Sequence, residues 1–404
     1  MLQAERRRRG DLVAAAAVVA VVAIGIAAVV VFSPAAHTES ITAKPPLTAV
    51  PAAPPNVPST LTEAWRAPSA ASDTPLALGP AVVTADGSTV TGHDPLTGQR
   101  RWSYRRNLPL CTLGANAGMA LAVYRNGDYC SEVTALMPDS GARGPQRNSD
   151  VRPGTRLLSD GYLVTATGSH HIETWRSDLV KTMEYGMLQA PTEPNTQARP
   201  DCLHASVAIM AWRLAVLERC PGESGDRLTL LHPGNNESDE PDQEFSVVLP
   251  ATGARVVAVA ADRVAVLLPN PARLSIRGGD GAELASYPLD LPAADLAGDP
   301  PGEVTPTSAV PGAILWWAGS RTIALNAGDL HPMWALPGAL GSGTPMAERT
   351  LVPVPAGLAV VDPTDGAVQR TIPVDRGDYR GPVTISTLGP VLLEQRGPVV
   401  VALR

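Results

Sequence analysis

Residue types that could bind a metal occur together at one position in the middle of the chain. His170 and His171 precede Glu173, and imidazole with carboxylate is a common metal-ligand combination. Neighbouring residues of a strand point to opposite faces, so the two histidines cannot easily bind one ion. We therefore expect a solvated turn here and no metal.

A second group of possible ligands is an acidic stretch. It contains Glu237, Asp239, Glu240, Asp242 and Glu244. Carboxylates of this kind can bind calcium weakly, but the stretch lacks the ordered spacing and the glycine of a calcium-binding loop. We expect a solvated surface loop.

The sequence lacks the common motifs for covalent and phosphoryl chemistry. The chain contains neither a Gly-x-Ser-x-Gly nucleophile elbow nor a phosphate-binding Gly-Lys-Ser/Thr loop. The sequence thus predicts no catalytic residue and no cofactor.

The four cysteines are Cys111, Cys130, Cys202 and Cys220, and they form two pairs separated by 19 and 18 residues. An even number of cysteines in an exported chain favours disulfides. We predict two local bridges, Cys111–Cys130 and Cys202–Cys220. Four buried free thiols are the alternative, and a zinc site is disfavoured because no Cys-x2-Cys pair occurs.

A polar and aromatic turn precedes Cys130. It consists of Tyr124, Arg125, Asn126, Asp128 and Tyr129. If the disulfide fixes this turn, it could form a preorganised surface for a partner. Ordinary hairpin chemistry is the alternative interpretation.

The N-terminal region carries the features of a membrane anchor. The segment Leu12 to Phe32 has no charged side chain and would span about 30 Å as a helix, the thickness of a bilayer core. Arg6, Arg7, Arg8 and Arg9 precede it, and basic residues beside a span stay in the cytoplasm. The sequence predicts a single-pass protein with its C-terminal part outside the cytoplasm. A cleaved signal peptide is the alternative, although such peptides have shorter apolar regions.

These features divide the chain into four parts. We expect a cytoplasmic basic tail at 1–11, a transmembrane helix at 12–32, a Pro/Ala-rich linker at 33–60 and a folded domain at 61–404. The linker contains Pro45-Pro46 and Pro54-Pro55, which predicts an extended, semi-rigid spacer between membrane and domain.

Composition argues against a helical or nucleic-acid-binding domain. The chain has 404 residues, 40 prolines, 36 glycines and a formal net charge of −7. A nucleic-acid-binding protein would show a basic stripe. Frequent proline and glycine suit many short strands joined by tight turns.

One pattern recurs from Leu61 onward: apolar runs separated by turns that contain glycine or aspartate. The clearest copy runs from Ala81 to Trp102, and a late copy runs from Gly357 to Val374. The period is about 40 residues, which is typical of four-stranded β-propeller blades. The sequence predicts an all-β propeller.

We count eight units, with seven as the alternative. They begin near Leu76, Leu110, Arg156, Cys202, Ala254, Thr307, Leu340 and Val383. The last unit holds three strand-like runs, and the isolated strand around Trp65 supplies a fourth. The two chain ends should therefore share one blade, which closes the ring and removes exposed sheet edges.

The stretch from Asp94 to Trp102 resembles the tryptophan-containing repeat of quinoprotein alcohol dehydrogenase-like (PQQ-like) propellers. In that family the tryptophan docks between adjacent blades, and Trp65 and Trp334 occupy comparable positions. The resemblance extends over about 61–404 and implies the fold. The chain also resembles a group of actinobacterial Ala/Val-rich membrane proteins of uncharacterised role.

The resemblance does not carry the family's activity. Quinoprotein dehydrogenases use a disulfide between adjacent cysteines and a bound calcium, and neither ligand set is present in this sequence. We expect a non-enzymatic interaction scaffold of the cell envelope, with envelope proteins as partners. The alternative is an extracytoplasmic propeller that binds or processes glycans. A converging group of His, Asp, Glu or Tyr in the central funnel would favour catalysis.

Overall fold

A computed structural model describes residues 9–32, 34–191, 195, 197–234 and 240–404. Nearly all of the regular structure after the first helix is β-strand. The elements before the first complete blade are α1 (Arg9–Phe32), a 3-10 turn (Pro34–His37), β1 (Glu39–Ile41) and β2 (Glu63–Pro68).

Eight antiparallel sheets follow one another around a ring, and each sheet is one blade. Blade one has β3 (Leu76–Leu78), β4 (Ala81–Asp86), β5 (Thr89–His93) and β6 (Arg100–Arg105), and blade two has β7 (Leu110–Asn116), β8 (Met119–Asn126), β9 (Tyr129–Leu136) and β10 (Arg143–Asn148). Blade three has β11 (Leu157–Ser159), β12 (Val164–Ala166), β13 (His171–Trp175) and β14 (Lys181–Gly186), and blade four has β15 (Leu203–Met210), β16 (Arg213–Arg219), β17 (Arg227–His232) and β18 (Asp242–Val248). Blade five has β19 (Arg255–Val259), β20 (Val264–Pro269), β21 (Ala272–Arg277) and β22 (Glu283–Pro288), and blade six has β23 (Thr307–Val310), β24 (Ala313–Trp317), β25 (Arg321–Asn326) and β26 (Pro332–Pro337). Blade seven has β27 (Thr344–Met346), β28 (Arg349–Val354), β29 (Gly357–Val361) and β30 (Val368–Pro373), and blade eight has β31 (Val383–Leu388), β32 (Val391–Arg396) and β33 (Val399–Leu403). Blades five and six are joined by a long connection with the short helix α2 (Ala293–Leu296) and a 3-10 turn (Pro301–Glu303).

The predicted eight-bladed propeller is confirmed, and the seven-bladed alternative is excluded. Closure is also as predicted, because β2 forms the outer strand of blade eight. Trp65 pairs with Ala402, and the backbones of Thr62 and Arg404 exchange two hydrogen bonds of 2.9 Å. The two ends of the ring are thus joined without a covalent link.

The blades pack through apolar side chains on both faces of each sheet. Leu230 and Phe245 of blade four, for example, belong to one cluster with Val256 and Val266 of blade five. Burying one such side chain contributes about 1.5–3 kcal/mol. A single sheet cannot cover both of its own faces, so the stability depends on the closed ring.

The two ends of the ring carry different connections, and we name them accordingly. The turn face holds the turns between the first and second and between the third and fourth strands of each blade. The crossover face holds the second-to-third turns and the connections between blades. Both disulfides lie at the crossover face. Cys111 and Cys130 are near the starts of β7 and β9, whereas Cys202 directly precedes β15 and Cys220 directly follows β16.

The segment between α1 and the propeller, for which the sequence predicts an extended, semi-rigid spacer, is packed on the propeller. The β1 strand pairs with β6 and adds a fifth strand to blade one, with Glu39 opposite Arg105 and Ile41 opposite Ser103. The backbone N–H and C=O groups of β1 pair with those of β6 at the outer edge of that sheet. The prolines that follow β1 in the sequence gave no indication of a strand there.

Residues 42–61 continue from β1 as a strap on the turn face. Ala43 N–H donates to Ser140 O at 2.9 Å in blade two, and Pro51 packs against Gly389 of blade eight. In blade seven, Arg370 Nη2 donates to Val57 O at 2.8 Å. The strap therefore returns the chain across the propeller to β2.

Candidate functional site

The central channel has no charged side chain among the residues that line its wall between blades three and six, whereas Asp73, Arg156 and Glu303 lie together at its crossover end. Its cavity of 230 Å³ lies between the innermost strands of blades three to six. All residues that line it are aliphatic, Met, Ser or Thr, as in Leu158, Ile209, Met210 and Ser308. The long connection between blades five and six narrows the crossover end, where Val304 bridges Val207. This wall offers neither an acid, a base nor a metal ligand.

The histidine–glutamate group of blade three is buried, so the expected solvated turn is wrong for His171 and Glu173. They are 7% and 1% exposed, because both point from β13 towards blade two, where Glu184 of β14 joins them. His171, Glu173 and Glu184 each place one ligand atom within 4.8 Å of the others. His170 directly precedes the strand and is exposed, whereas His171 and Glu173 are two positions apart within it and therefore share a face.

The contacts of this group favour a structural role over metal binding. Trp175 Nε1 donates to Glu173 Oε2 at 2.7 Å, and Asp150 N–H donates to Oε1 at 2.7 Å. Lys181 pairs with Glu184 at 2.6 Å. Burial opposes ionisation of Glu173, but the hydrogen bonds from His171 and Asp150 lower its pKa to about 2. Both oxygens of Glu173 already accept hydrogen bonds, and these would have to be broken before the carboxylate could bind a metal ion.

The predicted cysteine pairs are both at bonding distance. Cys111 Sγ lies 1.96 Å from Cys130 Sγ, and Cys202 Sγ lies 2.03 Å from Cys220 Sγ. Glu218 comes near the second pair, but it accepts a hydrogen bond of 2.7 Å from Tyr185 and is fully buried. Cysteines in disulfides are not available as thiolate ligands.

The turn before Cys130 is at the crossover face. Arg125, Asn126 and Asp128 are exposed. Tyr129 is half-buried, and the guanidinium carbon of Arg152 lies 5.0 Å from the centre of its ring. Tyr124 is fully buried against Tyr104 and cannot contribute to a partner surface. Burial raises the pKa of Tyr124, which keeps its hydroxyl neutral.

The three tryptophans of the repeat lie between neighbouring blades. Each indole N–H donates to a proline carbonyl in the next blade: Trp65 to Pro95 at 2.9 Å, Trp102 to Pro138 at 2.8 Å and Trp334 to Pro363 at 3.0 Å. Each ring covers the glycine of the same turn, which is Gly98, Gly141 or Gly366. Because a Cβ on these glycines would come within 2.5 to 2.7 Å of the ring, the turn must present bare backbone to the tryptophan.

Two other blades make a related contact with different residues. Phe245 of blade four covers Gly281 of blade five, and Arg147 of blade two donates to Leu179 O of blade three at 2.6 Å. Sequence reasoning missed them because neither position carries a tryptophan.

The remaining predicted residues lie at the start of α1 and around β18. Arg9 is the first residue of α1, and Arg6, Arg7 and Arg8 lie outside the described residues. Of the acidic stretch, Glu237 and Asp239 lie outside them too. Glu244 is in β18 and pairs with Arg213 at 2.9 Å and with His232 at 3.1 Å, so it belongs to the sheet rather than to a solvated loop.

An aromatic pair on the turn face is the best candidate for a binding site. Tyr162 in blade three and Trp212 in blade four are 67% and 47% exposed. Their ring centroids are 6.0 Å apart and the planes differ by 29°. Exposed aromatic side chains of this size, held on a rigid scaffold, are typical anchors of protein interfaces.

The backbone beneath this pair is fixed. Ala211 and Trp212 have φ angles of 50° and 64°, the left-handed values that a two-residue hairpin turn requires and that glycine or asparagine usually supplies. Trp212 N–H donates to Asp160 Oδ2 at 3.0 Å, and its ring lies over Gly234. A non-glycine pair in this conformation costs free energy, but Ala347 and Glu348 of blade seven adopt the same conformation, so the exposed rings and not the backbone distinguish this turn. The only sequence signal was a tryptophan in a tight turn without glycine.

Comparison with known proteins identifies the fold and little else. No protein-family model and no curated protein sequence matches the chain. Among solved structures, the chain is similar to BamB from Moraxella catarrhalis, with 14% identity, a TM-score of 0.50, and coverage of 85% of this chain and 100% of BamB. The dihydro-heme d1 dehydrogenase NirN is 14% identical, with a TM-score of 0.52 over 84% of this chain and 76% of NirN. A quinohemoprotein alcohol dehydrogenase from Pseudomonas putida HK5 is 9% identical, with a TM-score of 0.49 over 85% of this chain and 76% of the enzyme. The similarity to BamB and to NirN shows the propeller fold alone.

Proposed function

We propose that this chain is a membrane-anchored, extracytoplasmic and non-enzymatic scaffold of the cell envelope, which binds a partner protein through its turn face. The Tyr162–Trp212 pair is the observation that carries the proposal. It combines exposed aromatic area with a backbone that needs no ordering when a partner binds.

The anchor and the compartment rest on separate features. The α1 helix is long and apolar enough to cross a membrane, and its apolar stretch is not buried against the rest of the protein. Arg6 to Arg9 favour a cytoplasmic N-terminus. Two disulfides suit an oxidising compartment, and the resemblance to actinobacterial membrane proteins agrees with an envelope location.

We propose no catalytic centre because of the side chains found in and around the central channel. The cavity between blades three and six is lined by aliphatic, Met, Ser and Thr side chains, and the buried carboxylate Glu173 is satisfied by neighbouring donors. At the crossover end of the channel, the carboxyl of Glu303 interacts with the charge of Arg156. Structural similarity to dehydrogenases of 9 and 14% identity bears on the fold alone.

Photo-crosslinking in intact cells tests the proposal. A photo-reactive phenylalanine derivative is introduced at Tyr162 in the full chain, and at Leu284 on the outer strand of blade five as the control, since that side chain is also exposed. We expect a defined protein adduct at position 162 that disappears in Trp212→Ala and is missing at position 284. Adducts of equal yield at both positions would contradict a specific site.

Glycan binding is the second candidate function, because exposed aromatic rings can also stack on sugar rings. It predicts no protein adduct at position 162. Instead, soluble wall-glycan fragments would change the fluorescence of Trp212, and the change would be lost in Tyr162→Ala.

A further inference from the structure

The path of the chain between the helix and the propeller limits how far the ring can lie from the bilayer. The α1 helix ends at Phe32 and β1 begins at Glu39, so residues 33–38 are the whole connection. Seven Cα–Cα steps reach at most about 25 Å when fully extended. Part of this stretch is the 3-10 turn Pro34–His37, which shortens it further.

The pairing of β1 also determines which end of the ring is nearest to the anchor. Glu39 lies opposite Arg105, at the crossover end of β6, and Ile41 lies opposite Ser103, nearer the turn end. The chain therefore arrives at the crossover face and leaves towards the turn face. Strands of this length make the ring about 20 Å thick, so the turn face lies that much farther from the anchor.

The surface at the point of arrival has donors that suit phosphate. A cavity of 290 Å³ is lined by residues 36–39 together with Arg105, Arg106 and Asn107, so the carboxylate of Glu39 is present as well as the two guanidinium groups. Arg105 is exposed, whereas Arg106 is held by Glu132 at 3.1 Å. Guanidinium groups bind phosphate oxygens through paired N–H donors. In blade two, on the same face, the exposed Arg152 covers Tyr129.

We propose that the crossover face of blades one and two rests on the phospholipid headgroups of the membrane that α1 enters, with a lipid phosphate bound beside Arg105. The turn face, with Tyr162 and Trp212, consequently points away from the bilayer. This inference rests on the membrane anchor of the proposed function, and it adds a fixed orientation and a lipid contact.

The test uses the full chain in liposomes that contain a radiolabelled phospholipid. A photo-reactive phenylalanine derivative is placed at Asp128 or at Met137, which flank β9 at the crossover and turn ends and are both exposed. We expect a several-fold higher yield of lipid adduct at position 128. Equal yields, or a higher yield at position 137, would overturn the orientation.

A matched pair of variants tests the phosphate contact. Arg105→Glu and Arg100→Glu change exposed arginines at opposite ends of the same strand, β6. Arg105→Glu should lower the lipid adduct at position 128 several-fold, and Arg100→Glu should leave it unchanged. The lipid contact is refuted if both variants behave alike. Alkaline carbonate extraction separates the two hypotheses: release of the protein from the liposomes would refute the anchor itself, whereas retention with equal adduct yields would refute only the orientation.

Discussion

At the scale of single residues, Glu303 is unusual because its carboxyl is half-buried and one of its oxygens, Oε2, is without a hydrogen-bond partner among the described residues. It lies in the connection between blades five and six, next to Gly302, whose carbonyl accepts a hydrogen bond of 2.7 Å from Thr167. Burial raises the pKa of Glu303 to about 7, the charge of Asp299 adds to the effect, and Arg156 opposes it.

This pKa predicts a pH dependence of stability. The folded protein holds a proton on Glu303 that the unfolded chain loses above its ordinary pKa of 4.5, so the free energy of unfolding should fall as the pH rises from about 4.5 to 7. Glu303→Gln cannot ionise and should be more stable than the wild type above pH 7, with little difference below pH 4.5. Urea unfolding across this range measures it. Glu348→Gln, at an exposed position, is the control and should not change the slope.

The aromatic pair shows what residue-level prediction could not reach. Tyr162 and Trp212 lie in turns of different blades, and only the packing of blade three against blade four brings the rings together. By contrast, the cysteine pairs were predictable because each bridge is local in sequence.

At the scale of elements, the contact between one blade's tryptophan and the next blade's glycine joins neighbouring sheets. Gly366 and Gly118 have the same φ of 75°, but only Gly366 lies under a ring, that of Trp334. Substitution of both glycines therefore distinguishes the loss of stability due to the backbone conformation from the loss due to displacement of the tryptophan ring.

Gly118→Ala should lose about 1 kcal/mol of stability because alanine disfavours positive φ. Gly366→Ala should lose a further 1–3 kcal/mol, approximately, because its Cβ would meet Trp334 at 2.7 Å and force the ring from its site. Denaturant unfolding of both variants measures the difference. Equal losses would mean that the tryptophan contact contributes nothing to blade packing.

Strand and turn positions could largely be predicted because the chemistry of each tight turn is local. The predicted unit starts near Leu76, Leu110, Thr307 and Val383 coincide with observed strand starts. The β1 strand was not predictable, since three residues in a Pro/Ala-rich stretch show no alternation. Its position depends on the free edge of β6, which is a property of the folded sheet.

At the scale of the whole molecule, ring closure and the two disulfides on the crossover face add to the stability that apolar packing between blades supplies. Closed loops of 19 and 18 residues should each contribute about 3 kcal/mol in the loop-entropy description. Local bridges constrain blades two and four, while the β2–β33 ladder holds the ring closed.

Removing one bridge tests this estimate. The double variants Cys111→Ala/Cys130→Ala and Cys202→Ala/Cys220→Ala should each unfold at lower denaturant concentration than the wild type under oxidising conditions. A reducing agent should lower the wild-type midpoint towards those of the variants and below them, because it removes both bridges. A wild-type midpoint that does not respond to reduction would show that the bridges do not stabilise the fold.

The docking of β1 has a mechanical consequence. In the proposed arrangement, tension between the bilayer and a protein held on the turn face passes through three β1–β6 residue pairs and then the strap before it reaches β2, the strand that closes the ring. The three β1–β6 pairs should separate before the five β2–β33 pairs, because fewer hydrogen-bonded residues hold them. Their separation would lengthen the segment between α1 and the propeller while the ring remains closed.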